Sequence, residues 1–100
     1  MTPAGGNWKE MVHAAEKGDL ELVRYHVMNG VDVNYQHPEF MTTPLIISIE
    51  NQQYAIAKFF LENGADPTTK EIFGHHTPLT AAQLTKNNRL VALVKSFLAA

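Results

Sequence analysis

The chain has 100 residues, enough for one small core, and its 45% hydrophobic and 18% charged composition is that of a folded globular domain, not a disordered segment. Its formal net charge of −2, with 8 Lys and Arg in all, offers no basic stripe to neutralise a run of phosphates, which excludes a nucleic-acid binder. The absence of cysteine removes disulfides, thiolate metal ligands and cysteine nucleophiles together, and it suits a reducing compartment.

Met1 to Glu10 shows neither the basic nor the apolar region of a secretory signal. No run approaches the ~18 consecutive apolar residues that cross a bilayer. A soluble, cytoplasmic chain without membrane contact is therefore expected. The first predicted helix opens at Asn7, which with Glu10 forms a capping-box-like start and puts Trp8 at the first helical position. The second carries Leu20, Val23 and Val27 at helical spacing and ends at Gly30, a residue suited to the left-handed position that closes a helix.

Thr43-Pro44-Leu45 then opens a third helix. The Thr43 hydroxyl can accept a free backbone N–H of the first turn, and Pro44 has no N–H to leave unpaired. Ile56, Phe59 and Phe60 mark a fourth helix, which stops before Gly64. Thr77-Pro78-Leu79 begins a fifth, and Leu90, Val91, Val94 and Leu98 give a sixth its apolar face.

These elements repeat. Thr43-Pro44-Leu45 recurs as Thr77-Pro78-Leu79 and Asn29-Gly30-Val31-Asp32 as Asn63-Gly64-Ala65-Asp66, each at an offset of 34. The same offset carried backwards puts Met11 under Leu45 and Leu22 under Ile56. The chain thus divides into helix pairs at about 7–40, 41–74 and 75–100, forming a single domain. No pair can bury its apolar face alone, whereas stacked neighbours make a continuous core.

With the run Ala14-Ala15-Glu16-Lys17-Gly18-Asp19-Leu20-Glu21-Leu22-Val23, these motifs resemble ankyrin repeats over nearly the whole chain. The resemblance implies an all-α solenoid of three stacked helix-turn-helix units with projecting loops and a concave side that binds another protein. The sequence departs from the family in several places. Its period is 34 against about 33 in the family, so each inter-repeat loop holds an extra residue. Ile46 and Thr80 replace the histidine that follows Thr-Pro-Leu, which loses an imidazole bridge to the capping threonine. Phe40 stands where a loop-tip glycine is usual and His37 where an acid is usual, while Gly74 and Glu71 keep the pattern. The first loop, Tyr35 to Thr42, is thus expected to depart from the family's hairpin, and the last unit, without a closing glycine, reads as a terminal cap.

No catalytic constellation is visible. The serines are Ser48 and Ser96, Ser48 falls at a packed position, and neither a Gly-x-Ser-x-Gly nor a phosphate-binding loop occurs. His75 and His76 are adjacent and point to opposite sides of an extended loop, a poor arrangement for one metal ion even with His37 and Glu71 nearby. A metal site or small enzyme built on these residues is the weakest reading, and no cofactor is expected. By the resemblance, His26 falls where the family buries a leucine in the outer helix, so it is expected to be partly buried and hydrogen-bonded.

The loops carry the stronger signal. Tyr35, His37, Phe40 and Met41 lie in the first, and Ile72, Phe73 and His75 in the second; apolar and aromatic side chains in loops mark contact surfaces. Phe40 is expected to be exposed, and Phe73 either stands out as an anchor or folds back onto the core. Glu50, Asn51, Leu84 and Thr85 end the inner helices and join the footprint by resemblance. The expected function is a non-catalytic adaptor or a stoichiometric inhibitor that occludes its partner. Occlusion is favoured because no second domain is seen to recruit anything. The alternative is self-association of a monomer into a weak homodimer through the apolar last helix, at Phe97 and Leu98.

Overall fold

The computed structural model describes residues 4–74 and 76–99, with side chains from residue 7 onward. The described elements are α1 (Ala4–Lys17), α2 (Leu20–Met28), α3 (Pro44–Glu50), α4 (Tyr54–Glu62), α5 (Pro78–Thr85) and α6 (Asn88–Leu98). Each odd helix packs on the even helix that follows it. The inner layer runs α1, α3, α5 and the outer layer α2, α4, α6, each helix packing on the next of its layer. The all-α repeat architecture is the expected one.

Local chemistry sets the ends of these helices. Thr43 Oγ1 accepts the Ile46 N–H at 3.2 Å. Thr77 Oγ1 accepts the Thr80 N–H at 3.2 Å, and Thr80 Oγ1 in return accepts the Thr77 N–H at 2.8 Å. Thr80 therefore supplies a reciprocal bond at the position where the family's histidine and its bridge are missing. At the far ends, Gly30 and Gly64 take φ of 90° and 99°. The Val31 N–H then reaches the His26 carbonyl at 3.1 Å and the Ala65 N–H the Phe60 carbonyl at 2.9 Å. Both are Schellman closures, in which the left-handed residue lets the next amide satisfy a free carbonyl.

The first helix departs from expectation. It begins at Ala4, and Asn7 lies exposed within it instead of capping it. Trp8 is fully buried at mid-helix, packed against Tyr35, His37 and Phe40. Burial of the indole outweighs the weak helix propensity of Gly5 and Gly6.

The core runs unbroken through the stack. All of α3 from Pro44 to Ile49 is buried, because helices cover it on several sides. Ser48 is buried there with its hydroxyl donating to the Leu45 carbonyl at 2.7 Å. His26 is 4% exposed, and its Nε2 lies 2.7 Å from Glu10 Oε1, so the pair ties α2 to α1. In α6, Leu90, Leu93 and Val94 are buried and Phe97 is half-buried, while Leu98 is exposed. Much of the apolar arc that a second copy would need is occupied by packing within the stack.

Candidate functional site

The two loops are joined by a pair of side-chain amides. Asn34 donates from Nδ2 to the Gly64 carbonyl at 2.9 Å and accepts at Oδ1 from the Asp66 N–H at 2.8 Å. Gln36 repeats the device one step along the loop. Its Nε2 donates to the Lys70 carbonyl and its Oε1 accepts the Ile72 N–H, both at 3.0 Å. Each amide imitates a peptide group, so the second loop gains a neighbour's hydrogen bonds without a β-strand.

The second loop closes as a hairpin tip, with the Glu71 N–H donating to the His76 carbonyl at 3.1 Å. Ile72 and Phe73 stand on that tip and are 54% and 74% exposed. Phe73 is therefore not folded back onto the core. Leu84, on α5, is 65% exposed.

The first loop behaves differently. A turn closes it, with the Phe40 and Met41 amides both donating to the His37 carbonyl at 2.9 and 2.7 Å, and Met41 takes a left-handed φ of 56°. This reversal turns Phe40 inward, contrary to its expected exposure. Its half-buried ring meets Trp8 edge-on at 5.1 Å between centroids. His37 stacks on the same indole at 5.4 Å, and its Nδ1 accepts the Glu39 N–H at 3.0 Å. Tyr35 meets Trp8 edge-on at 6.1 Å and stays exposed, as does Met41. The aromatic signal of this loop thus reflects packing over Trp8, with Tyr35 and Met41 left at the surface. The loop departs from a hairpin, as expected from its sequence.

On the ridge, Asn51 donates to the Ile47 carbonyl at 2.9 Å and Thr85 to the Ala82 carbonyl at 2.6 Å, so both side chains are engaged with their own helices. Glu50 is exposed, yet its carboxyl is held above the usual 4.5, first by partial burial, then by the like charge of Glu71, with His76 pulling the other way. Glu39 goes the opposite way, because Lys9 pairs with it. Asp66 is lowered by accepting hydrogen bonds from Thr68. His75 lies outside the described residues. Among the described residues no three His, Asp or Glu side chains gather as metal ligands. Sequence reasoning missed the Asn34 and Gln36 clamps and the exposed Tyr25 and Met28 of α2. The clamps had a signal: Asn34 and Gln36 are side-chain amides two residues apart in the first loop.

The arrangement is an apolar loop tip and a mixed ridge of Glu50, Asn51, Leu84 and Thr85 at the ends of the inner helices, suited to contact. No described helix is long and apolar enough to cross a membrane. Among known proteins, the chain is 38% identical over 55 residues to palmitoyltransferase AKR1 of Lachancea kluyveri, a match spanning 55% of this chain and 8% of that one. It is 30% identical over 80 residues to the 2-5A-dependent ribonuclease of Homo sapiens, spanning 80% and 11%. It is also 29% identical over 82 residues to ARF GTPase-activating protein GIT1 of Homo sapiens, spanning 82% and 11%. The chain therefore spans about a tenth of the length of these relatives. The family model "Ankyrin repeats (3 copies)" matches residues 11–98. The chain belongs to the ankyrin repeat family, whose repeats are protein-interaction modules.

Proposed function

We propose that this chain is a non-catalytic protein-binding module that docks one partner through the tip of its second loop and the inner-helix ridge beside it. It acts in the cytoplasm as an adaptor or as a stoichiometric inhibitor that occludes the partner's surface. The observation that carries this reading is Phe73, 74% exposed on a loop pinned by Gln36. A loop whose backbone is already held loses less entropy on binding, and aromatic side chains are common interface anchors. A footprint of ~800 Å² per partner is feasible on the tip and ridge together. The partner is another protein, and the chain itself is a monomer.

The test is a photo-crosslinking amino acid placed at Phe73 or, as a control on the outer layer, at Tyr25. A partner protein that crosslinks from position 73 and not from position 25 supports the reading. Crosslinking from position 25 alone, or to a second copy of the chain, overturns it.

A further inference from the structure

We propose that His37 is a pH-dependent fastener of the first loop: its neutral ring holds the turn over Trp8 closed, and protonation releases it. The proposal concerns the first loop and stands apart from the protein-binding reading, which rests on the second.

The turn is fastened at its start by a bond from a side chain to the backbone two residues on. His37 Nδ1 accepts the Glu39 N–H at 3.0 Å. The same bond recurs elsewhere with oxygen acceptors. Asp32 Oδ1 takes the Asn34 N–H at 2.8 Å, Asp66 Oδ1 the Thr68 N–H at 2.8 Å and Asn87 Oδ1 the Arg89 N–H at 3.0 Å. Such turns are the ordinary use of Asp and Asn. Among the described residues, His37 is the one that makes the bond with a ring nitrogen. A carboxylate or amide oxygen keeps its lone pairs across the neutral range, whereas the imidazole nitrogen loses its single one to a proton. A backbone N–H can only donate, so the proton of the neutral ring sits on Nε2.

The closed turn carries costs that an open one does not. Met41 is held at a left-handed φ of 56°. Trp8 Nε1 and Thr42 Oγ1 are buried without a hydrogen-bond partner among the described residues. Offsetting these are the His37 stack on Trp8 at 5.4 Å, the Phe40 edge contact at 5.1 Å and the Phe40 and Met41 amides on the His37 carbonyl. A proton at Nδ1 leaves two N–H groups facing each other, and the balance moves to the open turn.

The charged groups nearby do not restore the bond. Glu39 Oε1 lies 3.8 Å from Nε2, so it attracts the imidazolium there without replacing what is lost at Nδ1. From α1, Lys9 pairs with that carboxylate and weakens its pull, and His13, 6.2 Å from the Phe40 ring, pairs with Glu16. The second loop, tied on by Gln36, carries Lys70 and Glu71 of opposite sign. The open turn binds the proton more readily than the closed one, so acid favours opening. Opening uncovers Trp8 and Phe40 beside the exposed Tyr35 and Met41.

The experiment follows the emission of Trp8, the chain's single tryptophan, and its quenching by acrylamide. The full chain is taken from about pH 8 to about pH 5, the span in which histidine gains its proton. The comparison is His37→Asn, whose side-chain oxygen can accept the same N–H throughout the series. Wild type is expected to shift its emission to the red and gain quenching on acidification, reversibly and with its helical circular dichroism unchanged. His37→Asn is expected to keep its neutral-pH values throughout. Flat wild-type emission overturns the proposal, as does an equal change in both proteins, which places the effect at another group such as His13 or His26. A change that comes with loss of helix also overturns it, since the whole domain is then opening. Ring-nitrogen NMR of wild type tests the bond without a variant. A neutral ring with its proton on Nε2 is expected, and a proton on Nδ1 contradicts the fastener.

Discussion

Gln36 holds Ile72 by its backbone: the side-chain oxygen accepts the Ile72 N–H at 3.0 Å while the amide nitrogen donates to Lys70 two residues before it. The bond crosses 36 residues of sequence and joins the loops of neighbouring repeats. Both groups are near solvent, so water can replace the lost partners. Gln36→Met is expected to cost only about 1 kcal/mol of global stability. Its local effect is larger, because the tip then samples many conformations. The measurement is hydrogen exchange at the Ile72 amide, which should accelerate clearly in the variant while amides within α3 change little. Unchanged exchange at Ile72 would mean that the clamp does not hold the tip.

Phe40 and Phe73 occupy loop positions that look alike in the sequence and should respond oppositely. Phe40→Ala removes a half-buried ring from the group around Trp8 and is expected to cost ~2 kcal/mol, below the range for a fully buried phenylalanine. Phe73→Ala removes a ring that is 74% exposed and should stay within about 0.5 kcal/mol of wild type. Denaturant midpoints of the two variants decide the matter, and the order of the two should not reverse.

Glu50 sets a sign for the pH dependence. Its carboxyl is raised in the folded chain above the ordinary 4.5, by burial and then by Glu71, so the folded state binds that proton more tightly than the unfolded state. Stability from this group therefore falls as pH climbs from 4.5 through the raised folded value, and the cost persists at neutral pH. Glu50→Gln should raise the melting temperature at neutral pH, and the gain should vanish below pH 4.5. Asp66 works the other way, since its lowered carboxyl contributes stability that is lost as pH falls below 3.8.

The turn joining each inner helix to its outer partner needs a left-handed residue, supplied by Gly18, Gln52 and Lys86 at φ of 87°, 54° and 60°. At Gly18 the space is needed too, since a Cβ there would meet the side chain of Gln53, whose Nε2 donates to the Glu16 carbonyl at 3.1 Å. For Lys86 the left-handed strain of ~1–2 kcal/mol exceeds the ~0.5–1 kcal/mol of extra chain entropy that glycine loses. Lys86→Gly should therefore stabilise the chain by about 0.5–1 kcal/mol, read from the denaturant midpoint. A loss of stability would show that the lysine side chain contributes more than its backbone costs.

Much of the fold was legible because its signals are local. The Thr43 and Thr77 caps, the Gly30 and Gly64 closures and the 34-residue period each rest on a few adjacent residues. What stayed hidden depends on partners distant in sequence. Nothing near Asn7 announces that Trp8 will be buried by Tyr35, His37 and Phe40, and so extend the helix back to Ala4. The inward turn of Phe40 depends on a left-handed Met41, a conformation that residue type does not advertise. Of the apolar footprint residues, Ile72, Phe73 and Leu84 stand most exposed, ahead of Tyr35 and Met41. Asn51 and Thr85 are engaged in capping their own helices, a use as compatible with those residue types as binding.

The most direct test of the central claim is affinity capture from lysate of the native source on immobilised wild type, Phe73→Glu and Tyr25→Glu, with quantitative mass spectrometry. Phe73 and Tyr25 are both exposed, one on the loop tip and the other on the outer helix α2, so neither change should unfold the chain. A protein retained by wild type and Tyr25→Glu but lost from Phe73→Glu is the predicted result. Equal retention by all three baits, or loss with Tyr25→Glu alone, would contradict the account and move the binding surface away from the second loop.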